Sequence, residues 1–147
     1  MLLLILIYFG LPPTFAMTSN VNVKTGANMS HITPQMQDCI EDCQKCHNVC
    51  IETAIHSLQK GGKYAEPFHL RLLADCAEIC QTSANFMLRG SELHFKTCAV
   101  CSDVCVSCAV SCEHFKDEEM MSRCAEECRR CAESCRLMAT RNPPRAA

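Results

Sequence analysis

The chain has no tryptophan, only two tyrosines and only six phenylalanines in 147 residues. A core built on large aromatic side chains is therefore excluded. It also lacks a charge excess: the net charge is −2, which leaves no electrostatic footing for nucleic acid or an anionic membrane. No segment alternates apolar and polar residues as a half-buried strand would. The apolar N-terminal run makes no comfortable bilayer span either. Residues 1–16 (MLLLILIYFGLPPTFA) are apolar but broken by Pro12 and Pro13, and they fall short of the roughly 20 residues a spanning helix needs. No Lys or Arg precedes Lys24, so the basic start of a signal peptide is absent, and so is a twin-arginine pair. Two explanations of this segment stand. It is signal-like, with Thr14 and Ala16 before a cleavage point, or it reflects an upstream start, with Met17 or Met29 as the true one. Residues 17–32 are polar and expected to be flexible. Their Asn28-Met29-Ser30 sequon has meaning only in a secreted eukaryotic protein.

What the chain has instead is cysteine: 15 residues, about a tenth of the total, the level that marks a disulfide or metal scaffold. Cys39, Cys43, Cys46 and Cys50 are spaced 4, 3, 4. Cys98, Cys101, Cys105, Cys108 and Cys112 are spaced 3, 4, 3, 4. Cys124, Cys128, Cys131 and Cys135 repeat 4, 3, 4, and Cys76 and Cys80 add one more i, i+4 pair. Residues three and four apart share one face of an α-helix, so each run is a stripe of thiols along one helix. Disulfides along a stripe are disfavoured, because i and i+4 Cβ atoms lie about 5–6 Å apart and a disulfide requires roughly 3.5–4.5 Å. The odd count would also leave one thiol unpaired.

The helix signals agree with the stripes. Thr33-Pro34 supplies an N-cap and a first-turn proline, opening a helix expected to run to about Gln59, before Gly61-Gly62. A second helix is expected from Glu66-Pro67 to Arg89, with Gly90 just past its end. Ser91 is expected to cap a third, with Glu92 in its first turn, reaching about Phe115. Asp117 is expected to cap a fourth, with Glu118 and Glu119 at the positive end of its dipole, ending near Thr140 before Asn142-Pro143-Pro144. Short connections make successive helices antiparallel. The expected architecture is all-α: an up-down-up-down four-helix bundle over residues 33–141 with a Cys-lined core, followed by a tail at 142–147.

Thiolate is a soft ligand that selects Cu(I), Zn(II) or iron–sulfur clusters. Cysteines at i and i+4 can hold a two-coordinate Cu(I) from one helix, whereas zinc needs four sulfurs converging on a point. Charge points the same way. Fifteen thiolates would be neutralised by about fifteen Cu(I) ions, whereas isolated four-thiolate zinc sites each leave about −2 in a dry core. Bridging thiolates would lessen that penalty, so zinc is disfavoured and not excluded. The ferredoxin run C-x2-C-x2-C-x3-C is absent. Cys43-Gln44-Lys45-Cys46-His47 matches the haem-attachment pattern, but it lies in phase with the stripe. Cys98-Cys101, Cys105-Cys108 and Cys128-Cys131 match the redox CxxC without its βαβ surroundings.

Helical steps beyond the stripes reach Met36, Met87, His94 and Met138, which the bundle topology brings to one end. Thioether and imidazole bind copper more exchangeably than thiolate, so that end is the expected metal entrance, the alternative being that methionine merely plugs it. At the other end Phe115 suggests closure, Met121 lies three before Cys124, and His69 is read as structural. His47, His56 and His114 are expected off the stripe, facing solvent or a partner subunit. Glu126, Glu127, Arg129 and Arg130 read as a solvated face.

The striped helices, together with Cys76-Ala77-Glu78-Ile79-Cys80-Gln81 and Cys131-Ala132-Glu133-Ser134-Cys135, resemble the bacterial copper storage proteins over roughly residues 30–140. The resemblance implies a bundle that fills with Cu(I) through one open end and assembles as a tetramer. It implies a non-enzymatic role in copper homeostasis and detoxification, with copper donor or acceptor proteins as partners. Exported members carry a twin-arginine signal, which this chain lacks, and thiols must stay reduced to hold Cu(I), so a cytoplasmic site is expected. Two other readings stay open: a zinc- or disulfide-stabilised bundle that binds a partner protein, and a thiol redox enzyme.

Overall fold

A computed structural model describes residues 31–115 and 117–140. The readings for residues 1–30 and for the 142–147 tail lie outside the described residues. Four helices follow one another: α1 Pro34–Lys60, α2 Pro67–Leu88, α3 His94–Glu113 and α4 Glu119–Ala139. A 3-10 turn, Gly62–Ala65, joins the first two. Each helix packs on its two neighbours around a square: α1 on α2 and α4, and α3 on α2 and α4. The diagonal pairs meet through cysteine side chains, as with Cys46 and Cys105 across α1 and α3 and Cys80 and Cys131 across α2 and α4.

The helix ends show how local sequence sets these bounds. Thr33 accepts the Met36 N–H on its Oγ1 at 3.2 Å, as an N-cap should. At the end of α2, Gly90 takes φ +64°. Its N–H donates to Met87 O, and the Ser91 N–H donates to Phe86 O, both at 3.0 Å. This is the paired-bond stop that favours glycine in the left-handed region. A Cβ at Gly90 would also meet the His31 ring at 2.9 Å. Three expectations need correction. Ser91 does not cap α3: its Oγ accepts the Leu93 N–H within the preceding turn, and the helix opens at His94. Asp117 does not cap α4 either; Glu118 precedes it and commits its carboxylate to His56 and Lys60 at the end of α1. Finally, the last two residues of the 17–32 segment are engaged. Ile32 packs on the core, and His31 Nε2 donates to Leu88 O at 3.2 Å.

All 15 cysteines are buried, and they make up most of the core. Ile40, Val49, Leu73, Ala77, Ala84, Ala109, Ala125 and Ala132 fill the seams beside them. Small alanines at these seams let the helices approach closely enough for thiols on opposite corners to touch. On the surface, Arg129 forks onto Glu113 of α3 at 2.9 and 2.8 Å. Arg130 reaches Asp42 of α1 at 2.9 Å and also pairs with Glu127. This face is solvated but not idle, because it ties α4 to both neighbours.

Candidate metal centre

The stripes converge as their spacing requires. Sulfur atoms on different helices lie side by side: Cys43 to Cys135 at 3.5 Å, Cys46 to Cys128 at 3.6 Å, Cys76 to Cys105 at 3.6 Å and Cys80 to Cys101 at 3.6 Å. All fifteen thiols are free.

Five groups of sulfurs lie within 4.8 Å of one another. From the methionine end they run Cys39/Cys98/Cys135, then Cys43/Cys101/Cys131/Cys135, then Cys46/Cys80/Cys105/Cys131. They continue through Cys46/Cys50/Cys76/Cys128 to Cys50/Cys108/Cys124/Cys128. Successive groups share members: Cys135, Cys131, Cys46, and then Cys50 with Cys128. The sulfurs therefore form one continuous column rather than separate cages. This changes one step of the sequence argument. Four-sulfur convergence is present, so geometry at a single group does not disfavour zinc. The sharing means that a metal in every group requires bridging thiolates, which lessens the charge penalty for zinc. The charge argument still favours a column of monovalent ions close in number to the thiols, because it keeps the buried charge near neutral.

Proton energetics express the crowding. Thiol hydrogen bonds pull Cys46 and Cys101 far below the ordinary cysteine range, with Cys105 the largest contributor in each case. The same crowding pushes Cys80, chiefly through Cys101, and Cys128, chiefly through Cys108, far above it. Without a cation, the crowded thiols compete, some favoured as thiolates and others held protonated. A soft cation removes that conflict.

At the methionine end, Met87 and Met138 are buried and Met36 is 9% exposed. Cys98 Sγ lies 3.9 Å from Met87 Sδ. Met87 thus stands beside the Cys39/Cys98/Cys135 triad, and Met36 and Met138 lie buried three residues from Cys39 and Cys135 on their own helices. His94 sits apart at the rim, half-buried, with Nδ1 donating to Ser91 O at 2.8 Å, and joins none of the sulfur groups among the described residues.

The opposite end is closed by aromatic rings. Phe115 packs on Tyr64 at 5.0 Å between centroids and on His69 at 5.1 Å. Met121 and Leu73 are fully buried beneath them. Tyr64, in the connecting turn, carried no periodic signal and was missed in the sequence. His69 Nδ1 lies 2.8 Å from Ser111 Oγ, and burial holds its imidazole below its usual range, partly offset by Cys124. Of the three histidines expected to face outward, only His114 is exposed. His47 donates from Nδ1 to Ala77 O at 2.9 Å, joining α1 to α2. His56 pairs with Glu118 at 3.0 Å.

This column of free thiols coincides with a family match. The chain matches the copper storage protein family over residues 32–140, and it belongs to that family. Among solved structures it is similar to the Nmul_A1745 protein of Nitrosospira multiformis, with 49% identity and a TM-score of 0.67, covering 71% of this chain and 94% of that one. It is similar to the Cu(I)-bound copper storage protein BsCsp3 of Bacillus subtilis, with 31% identity and a TM-score of 0.68, covering 72% and 99%. It is also similar to Ccsp of Streptomyces lividans loaded with 10 copper equivalents, with 28% identity and a TM-score of 0.62, covering 71% and 83%.

Proposed function

We propose that this protein stores and sequesters cuprous ions, many per chain, on the thiolates of its bundle core. The observation that carries this is the unbroken column of shared sulfur groups, in a chain similar to one copper storage protein with Cu(I) bound and to another loaded with 10 copper equivalents. The ligands are Cys39, Cys43, Cys46, Cys50, Cys76, Cys80, Cys98, Cys101, Cys105, Cys108, Cys112, Cys124, Cys128, Cys131 and Cys135. Copper arrives as Cu(I), displaces thiol protons and is held between sulfurs from two or more helices. The role is homeostasis and detoxification. Among the described residues all fifteen thiols are buried and most belong to overlapping sulfur groups, which supports storage over catalysis.

Copper enters at the methionine end. Met36, Met87 and Met138 are the acceptors there, and His94 is the outermost. Replacing the three methionines with leucine is expected to slow uptake from a Cu(I) chelate while leaving final capacity within about one ion, since leucine keeps the packing volume and the thiols are untouched. Stopped-flow uptake measurements check this, and unchanged rates would sink the entrance.

The bundle acts in the cytoplasm, where fifteen free thiols stay reduced. It works as a homo-oligomer, a tetramer by family resemblance. The outward face of α3 supports this, since Val100 is 52% exposed and Val106 and Val110 are also exposed. Donor or acceptor proteins deliver and withdraw copper. Light scattering of the reduced protein tests the assembly: a tetramer mass is expected, and a monomer would contradict it.

A further inference from the structure

The sulfur column is not tied equally to all four helices. α2 carries only Cys76 and Cys80. Among the described residues, neither belongs to the two groups nearest the methionine end, Cys39/Cys98/Cys135 and Cys43/Cys101/Cys131/Cys135. Those groups draw their sulfurs from α1, α3 and α4 alone. The α2 stripe nonetheless continues. Cys76, Cys80, Ser83 and Met87 are spaced 4, 3, 4, the same steps as on α1 and α4, and all four are fully buried. Ser83 is the member of that stripe without sulfur, and its place along the column is bracketed. On the inner side Cys80 Sγ lies 3.6 Å from Cys101 Sγ. On the outer side Met87 Sδ lies 3.9 Å from Cys98 Sγ. Ser83 Oγ has no hydrogen-bond partner, so it ties α2 to no other helix.

We propose that Ser83 determines how fast stored copper is handed on: it keeps the α2 corner of the two outer groups free of a soft ligand, so that an incoming thiolate can attack the ions held there. This deepens the storage reading above and rests on it. Hydroxyl oxygen is a hard donor that does not compete for Cu(I), whereas a cysteine at the same helical step would. Ions in the outer groups are therefore held from three helices, with the fourth side open to exchange. The exchange is associative. One copper–sulfur bond forms to the acceptor's thiolate as one to a protein cysteine breaks. The copper stays Cu(I), and the freed cysteine takes up the proton that the acceptor thiol gave up.

The other end of the column supplies the contrast. The Cys50/Cys108/Cys124/Cys128 group also lacks an α2 sulfur. There the stripe places Leu73, three residues before Cys76 and fully buried. Leucine fills its corner with hydrocarbon, and the rings of Tyr64, Phe115 and His69 stack over that end. A short hydroxyl side chain thus stands at the methionine end and a bulky apolar one beneath the aromatic cap.

The test is copper release from the loaded full chain, followed anaerobically with glutathione as the attacking thiol and bathocuproine disulfonate as the coloured sink. Wild type is expected to release in two phases, the faster one with a rate that rises with glutathione concentration. Ser83→Cys is expected to slow the fast phase at least about tenfold, since even a partner beyond the ligands is worth that much at a metal site. The slow phase is expected to stay unchanged. Ser83→Ala also withholds sulfur, and is expected to keep both wild-type rates. A Ser83→Cys protein with a wild-type fast phase would overturn the assignment. Equal slowing of both phases, a fast phase lost in Ser83→Ala, or a single phase in wild type would do the same. Failure of the storage reading shows separately, as a wild-type capacity of one or two ions, and removes this proposal with it.

Discussion

Ser83 marks how narrowly each side chain is chosen. It lies seven residues past Cys76 and three past Cys80, in phase with the α2 stripe, and its buried Oγ has no hydrogen-bond partner. An oxygen stands where the other helices carry sulfur. Ser83→Cys is therefore expected to add a usable thiol and raise Cu(I) capacity by about one ion, because sulfur is the soft ligand and hydroxyl is not. Quantitation of bound copper against thiols checks it, and unchanged capacity would show that the column does not extend there. The burial of the cysteines was legible residue by residue, since spacing alone assigns them to one face. The histidines were less so. His47 and His56 are off the stripe as expected, yet they bond to Ala77 O and Glu118 on neighbouring helices. Helical phase says which way a side chain points, not what the next helix offers it.

At the scale of the helix, the ends carry the information that periodicity does not. Gly90→Ala forces a Cβ into a left-handed backbone, which costs about 1–2 kcal/mol, and against the His31 ring. Denaturant unfolding of the reduced apo-protein is expected to show at least that loss, and none would contradict the assigned stop. Glu118 gives a pH-dependent counterpart. Lys60, with a smaller contribution from His56, holds its carboxyl below the usual range. A lowered folded pKa means that stability is present above the unfolded carboxylate pKa and is lost as pH falls through the folded value. Glu118→Gln is thus expected to lower the Tm at neutral pH and to match wild type in acid. A constant difference across that range would rule the linkage out. The starts of α3 and α4 were misplaced in the sequence because Ser91 and Asp117 have the right chemistry for a cap. The chain nonetheless uses Ser91 inside a turn and sends Glu118 to α1, so a tertiary contact outweighs a local preference.

For the whole molecule, the four-helix topology was legible because cysteine stripes repeat on every helix and the connections are short. The two ends were legible only in outline. Met36, Met87 and Met138 gather at one end, but the aromatic cap at the other uses Tyr64 from a turn with no periodicity. The column also behaves as a unit in its protons. The crowded thiols that are pushed up hold protons that Cu(I) must displace, so loading is expected to release many protons, and copper affinity to fall as pH falls. A pH-stat during anaerobic loading measures the first, and release of only a few protons at full capacity would contradict it. The most direct test of storage itself is anaerobic Cu(I) titration of the reduced apo-protein against a competing chelator, with copper counted after gel filtration. A capacity approaching one ion for each of the 15 cysteines is predicted. Saturation at one or two ions, or stronger retention of zinc, would contradict the account.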